Sequence, residues 1–196
     1  IDHNYFSAGD MHFVDLNGDH QITDADRTFI GDPNPKAYGN VFTSLSYKRF
    51  RLDANFNYCL GNDVFNYQRQ QLESGSRFIN QTTAMLQRWQ SEGDQTSMPR
   101  VSFQDPMGNS RFSDRWIEDG SYFRLKTVTL SYTLPVHTSY LQGLEFWVQA
   151  NNVFTLTKYL GSDPEFAVTS SVIGQGIDAG QLPQSRSFVA GVKINL

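Results

Sequence analysis

One cysteine among 196 residues rules out an internal disulfide, and no CxxC or paired Cys/His spacing offers a zinc site. Cys59 is therefore expected to be a small packing residue. Long apolar runs are missing too: none approaches the 18 or so residues of a spanning helix, and the mean hydropathy is -0.46. That figure leaves membrane strands open, because alternating strands average out to a polar score. Charge of one sign is scarce, with a net charge of -4 and Lys and Arg scattered. Such a chain has no electrostatic footprint for nucleic acid.

Catalytic signatures are absent as well. There is no GxSxG elbow and no HExxH, and His3, His12, His20 and His137 share no ligand spacing. Glu118 and Asp119 are adjacent, and neighbours on an extended segment point to opposite sides, so the pair reads as a turn before Gly120 rather than an acid and base. "GQGIDAG" (174–180) has the wrong spacing for a phosphate-cradling loop and no helix after it, and reads as flexible loop. An enzyme is not expected. The chain opens at Ile1 with neither initiator Met nor leader, so it is expected to be a piece of something longer, and the missing targeting segment says nothing about address.

What the chain does hold is alternation. In "VFTSLSYKRFRLDANFNYC" (41–59), a two-residue turn at Lys48-Arg49 pairs Tyr47 with Phe50, Leu45 with Leu52, Thr43 with Ala54 and Val41 with Phe56. The opposite face then collects Ser44, Ser46, Arg51, Asp53, Asn55 and Asn57. Further strands are expected at 121–134, 144–152 and 187–196, the last placing Phe188, Ala190, Val192, Ile194 and Leu196 on one face. Connections alternate short and long, as in outer-membrane barrels with short periplasmic turns and long external loops. The expected fold is all-β: an antiparallel transmembrane β-barrel segment, about five strands of a larger barrel. Residues 1–39 form an external loop and 40–196 the barrel strands, with long loops at about 61–120 and 153–186. In the first of these, Phe78, Met85, Leu86 and Trp89 at helical spacing suggest a short helix that covers an apolar patch.

"DLNGDHQITDAD" (15–26) has the spacing of a twelve-residue calcium loop. Asp15, Asn17, Asp19, Gln21, Thr23 and Asp26 fall at positions 1, 3, 5, 7, 9 and 12, with Ile22 as the apolar anchor at position 8. His20 stands where the sharp turn prefers glycine, and Asp26 is shorter than the usual bidentate Glu. The loop resembles the dockerin-type variant more than the EF-hand. Two readings stay open: a Ca2+ site with those six ligands, or an Asx-rich turn whose side chains cap backbone amides.

Taken together, "GDMHFVDLNGDHQITDADRTFIGDPNP" (9–35), "SYKRFRLDANF" (46–56), "RWIEDGSYFRLKTVTLSYTLP" (115–135), "NNVFTLTKYLGSDPE" (151–165) and "RSFVAGVKINL" (186–196) resemble the C-terminal portion of SusC/RagA-type TonB-linked outer-membrane transporters. The family often ends in an aromatic residue, and Leu196 departs from that. The resemblance implies a barrel of about 22 strands closed by an upstream plug. It also implies outer-membrane lipid around the wall in a Gram-negative bacterium, a SusD-type surface lipoprotein as lid, and TonB-driven import of oligosaccharides or peptides. A second function stays open from the residues alone, a soluble calcium-stabilised β-domain acting as a carbohydrate-binding or adhesion module. The faces separate the two: Val41, Leu45, Tyr47, Phe50, Leu52, Phe56, Tyr58, Phe188, Val192 and Ile194 point outward in a wall and converge on an interior in the module. Trp89 and Trp116 are expected to pack the loops, with stacking on a ligand as the alternative.

Overall fold

A computed structural model describes residues 6–136, 138, 140, 142–166 and 174–195. Leu196, His3 and His137 lie outside the described residues. The elements in chain order are strands β1 (Ala37–Tyr47), β2 (Phe50–Leu60) and β3 (Asp63–Asn66), helix α1 (Tyr67–Glu73), and strands β4 (Ile117–Asp119), β5 (Tyr122–Leu134), β6 (Gly143–Thr157), β7 (Ile177–Asp178) and β8 (Ser187–Asn195). Among the described residues, no helix is long and apolar enough to cross a membrane.

They form two compact units that interleave along the chain: 33–63, 119–166 and 181–195 make a strand unit, and 6–32, 64–118 and 174–180 make a loop unit. The strand unit is one sheet in the order β1-β2-β5-β6-β8, antiparallel throughout. The β1–β2 register is the one the alternation demands, with Tyr47 opposite Phe50 and Leu45 opposite Leu52. Lys48 takes the left-handed φ of 54° that a two-residue turn asks of its first central residue. Residues 48–49 and 135–142 connect strands at one end of the sheet, and the long connections leave from the other. β6 runs to Thr157, past the expected end at 152.

The loop unit is ordered rather than shapeless. Its core holds Val64, Met85, Met98 and Trp116, with Trp116 only 1% exposed. The Trp116 indole Nε1 donates to the Arg111 carbonyl at 3.0 Å, and the Arg115 guanidinium lies 4.7 Å from the centroid of its ring. Trp116 therefore packs the loops. Gly9, at φ 87°, lets the Trp89 ring lie against the backbone, since a Cβ there would stand 2.4 Å from a ring carbon.

Three expectations need correction here. The helix is not at 78–89 but at α1, where the Asn66 side chain caps the Arg69 N–H and Arg69 pairs with Glu73 one turn on. At 83–87 there is only a 3-10 turn without a side-chain cap, Phe78 and Leu86 are exposed, and the Trp89 N–H bonds across to Met98. "GQGIDAG" is not free loop, because β7 within it pairs in parallel with β3 and buries Asp178. Glu118 and Asp119 lie in β4, not in a turn: Glu118 meets Arg69 and Asn66, while Asp119 accepts the Ser121 N–H.

Candidate functional site

Cross-strand neighbours share a face, so the registers sort the strand unit into rows. Four rows are apolar or nearly so. They are Tyr47–Phe50–Tyr132–Phe146–Val192, Leu45–Leu52–Leu130–Val148–Ala190, Thr43–Ala54–Val128–Ala150–Phe188 and, beyond a bulge, Val41–Phe56–Leu125–Phe154. The rows between them are mostly polar: Ser46–Arg51–Ser131–Trp147–Gly191, Ser44–Asp53–Thr129–Gln149–Val189 and Phe42–Asn55–Thr127–Asn151–Ser187, with Phe42, Trp147 and Val189 as the apolar exceptions. Of the ten residues that separate a wall from a module, Phe56 and Tyr58 are half-buried and the other eight are exposed, up to 76% for Phe188. They share one open face and converge on no interior.

Rings cluster toward both ends of this face. Phe50 and Tyr132 lie 4.8 Å apart near the short-turn end, and Phe56 stacks on Phe123 at 5.2 Å toward the other. From the Leu134–Leu144–Ile194 row to the Tyr58–Phe123–Leu156 row the strands climb about ten residues, roughly 34 Å. At a barrel strand's tilt that is about 25 Å of height, the thickness of an outer-membrane apolar band.

The polar face has a hydrogen-bonded centre that sequence reasoning missed. Arg124, 3% exposed, donates to Glu165 Oε2 at 2.8 Å and to Thr155 Oγ1 at 2.8 Å, and also pairs with Asp163. Lys126 reaches Gln184 Oε1 at 2.9 Å and Glu165 at 3.2 Å. Burial pushes the Asp163 carboxyl up, but hydrogen bonds from the Gln184 N–H, the Arg124 guanidinium and the Glu165 N–H, together with the Arg124 charge, outweigh it and hold the carboxyl below 3.8. The segment 163–165 is thereby tied to the sheet. Lys126 arrives there through the bulge. Strict alternation from Val128 would leave the lysine on the apolar face, and the extra residue sends Leu125 there instead, opposite Phe56 and Phe154. The signal was legible in "FRLKTVTL", where apolar positions switch from odd to even between Leu125 and Val128. Trp147 also lies on the polar face, its ring over Gly191, where a Cβ would stand 2.4 Å from it.

At 15–26 the backbone turns twice through the left-handed region and the side chains are engaged locally. His20 takes a φ of 64° and Gly18 a φ of 76°, and Ile22 is buried as the anchor. Asp15 accepts the Gly18 and His20 N–H groups at 2.7 and 2.8 Å. Asp19 accepts the Gln21 N–H at 2.8 Å, and Asn17 the Asp19 N–H at 2.9 Å. Asp26 accepts the Thr23 and Leu16 N–H groups, and these bonds, Thr23 first, hold its carboxyl below the ordinary value. The Thr23 hydroxyl caps the Ala25 N–H, and Gln21 is engaged through its backbone. Among the described residues, no three Asp, Glu, His or Cys side chains gather at metal-binding range. The arrangement is an amide-capped loop.

No protein-family model matches the sequence. Curated relatives do: the chain is 33% identical over 190 residues to the TonB-dependent receptor P3 of Formosa agariphila, covering 93% of this chain and 18% of the relative. It is 26% identical over 194 residues to TonB-dependent receptor P26 of the same organism, with 95% and 20% covered. In fold, the RagAB peptide importer in its closed-closed state matches 93% of this chain and 20% of the solved one, with a TM-score of 0.75 and 27% identity. A second RagAB peptide transporter structure matches at a TM-score of 0.75 and 28% identity, over 89% and 19%. Over 93% of its length the chain thus corresponds to a segment of a TonB-dependent receptor. Within that class its likeness is to the SusC/RagA type, and it spans about a fifth of the length of the relatives it matches.

Proposed function

We propose that this chain supplies five neighbouring strands of the barrel wall of a TonB-dependent importer in the outer membrane of a Gram-negative bacterium. The observation that carries this is the row pattern: each of the central strands is apolar toward one side and hydrogen-bonded polar toward the other. Lipid meets the first face and the water-filled lumen the second. Among the described residues β1 and β8 each pair on one side only, and closed single-chain barrels need about eight strands or more, so the remaining strands belong to the longer protein. The cargo is an oligosaccharide or a peptide, and the RagAB likeness supports that range. A SusD-type lipoprotein and TonB act on the complete receptor. In the full-length receptor, nitroxides at Leu45, Leu130 and Val192 are expected to be reached by oxygen, and those at Asp53, Thr129 and Gln149 by an aqueous nickel complex. The reverse pattern sinks the wall.

We infer separately that the 15–26 loop takes Ca2+ through Asp15, Asn17, Asp19, Thr23 and Asp26 with the Gln21 carbonyl. The left-handed turn at His20 and the buried Ile22 favour this. The ion has to share oxygens that now accept backbone amides. Calorimetry of the full receptor with Ca2+ tests it, since identical heats from the wild type and from Asp15→Ala with Asp19→Ala remove the metal and leave the barrel untouched.

A further inference from the structure

The apolar face is not level. A hollow of about 430 Å³ begins at Phe50 and crosses Leu130, Phe146 and Val148 to Ala190 and Val192. It shares Leu130, Val148 and Ala190 with a second hollow of about 360 Å³ that reaches Ala150. Both are open depressions with an alanine in the lining, and they adjoin across the three shared residues as one shallow trough. At the end where Phe50 stands, the chain turns through Lys48 and Arg49, and among the described residues neither faces a carboxylate. The Lys48 ammonium lies 5.3 Å from the Tyr47 ring centroid, and the Arg49 carbonyl accepts the Thr133 N–H at 3.0 Å, which fixes the turn against β5.

We propose that the trough and this turn form a binding site for one phosphate-bearing membrane lipid, with an acyl chain in the trough and the phosphate at Lys48 and Arg49. The site rests on the wall reading above. A long hydrocarbon lining that ends at two cations facing no carboxylate among the described residues matches an amphiphile with one anionic end. A protein segment fits worse, because its backbone N–H and C=O groups find no partners along such a lining.

The test uses the full-length receptor in bicelles, with native mass spectrometry counting retained lipid. Phosphatidylglycerol is expected to stay bound to the wild type. Its retention falls when K48Q and R49Q remove the charges, roughly fivefold for each, and when A150L and A190L fill the trough. A diacylglycerol with the same chains is retained less, and inorganic phosphate does not displace the lipid. Equal retention by the wild type and both variants overturns the site, as does equal retention of diacylglycerol or displacement by phosphate. A nitroxide at Leu45 in the same preparations separates this from the wall. If oxygen reaches the label while lipid retention never varies, only the lipid site falls. If the nickel complex reaches it, the wall falls as well.

Discussion

Arg124 is the residue whose loss the strand unit should feel most. It is buried beside two carboxylates, and removing one partner of such a cluster strands the others. Arg124→Met is expected to cost about 3 kcal/mol in denaturant unfolding. Arg51→Met, which breaks the open Arg51–Asp53 pair, should cost under about 1 kcal/mol. Asp163 gives this cluster a pH signature. Its carboxyl is held below 3.8 in the folded chain, so its contribution is whole above that pH and is lost as pH falls through the lower folded value. Melting temperature should therefore drop on acidification below about pH 4, and Asp163→Asn should flatten part of that slope. None of this was legible from residue types. Arg124, Asp163 and Gln184 are far apart in sequence, and only the sheet and the returning loop bring them together. In 15–26, by contrast, the contacts run between residues ten or fewer apart, so a local turn there is within reach of the sequence.

Strands declare themselves by period, and that is why the β1–β2 register is readable from the sequence alone. A single shift of one residue would have sent Leu45, Tyr47 and Leu52 to the polar face. The α1 helix escaped notice because its sequence, "YQRQQLE", has no apolar stripe; a cap and one ion pair hold it. The stripe at 78–89 misled for the converse reason: its apolar residues find separate partners, with only Met85 buried among Phe78, Met85 and Leu86. The faces of β5 give a test at this scale. Leu130→Arg is expected to destabilise the receptor in lipid by about 2–4 kcal/mol, against little change for Thr129→Arg one residue away. Unfolding in vesicles checks it, and equal costs would mean that neither face meets hydrocarbon.

At the scale of the whole chain there are two units, a self-packed loop unit and a sheet whose apolar face is exposed and whose two edge strands pair on one side among the described residues. Isolated residues 1–196 should aggregate in water and stay dispersed in detergent, as sedimentation would report. A monodisperse, detergent-free monomer would contradict the wall. The whole-chain reading depended on five sequence blocks occurring in order; alternation by itself fits a sandwich as well as a barrel.

The bulge at Lys126 sets a rule for how this stretch can change over generations. Letters in β5 are exchangeable within wide limits, yet their number is not. Losing one codon between Tyr122 and the bulge would turn the side chains on one side of the loss inside out, whereas the connection after Thr157 can change length only outside 163–165 and Gln184, which bond to Arg124 and Lys126.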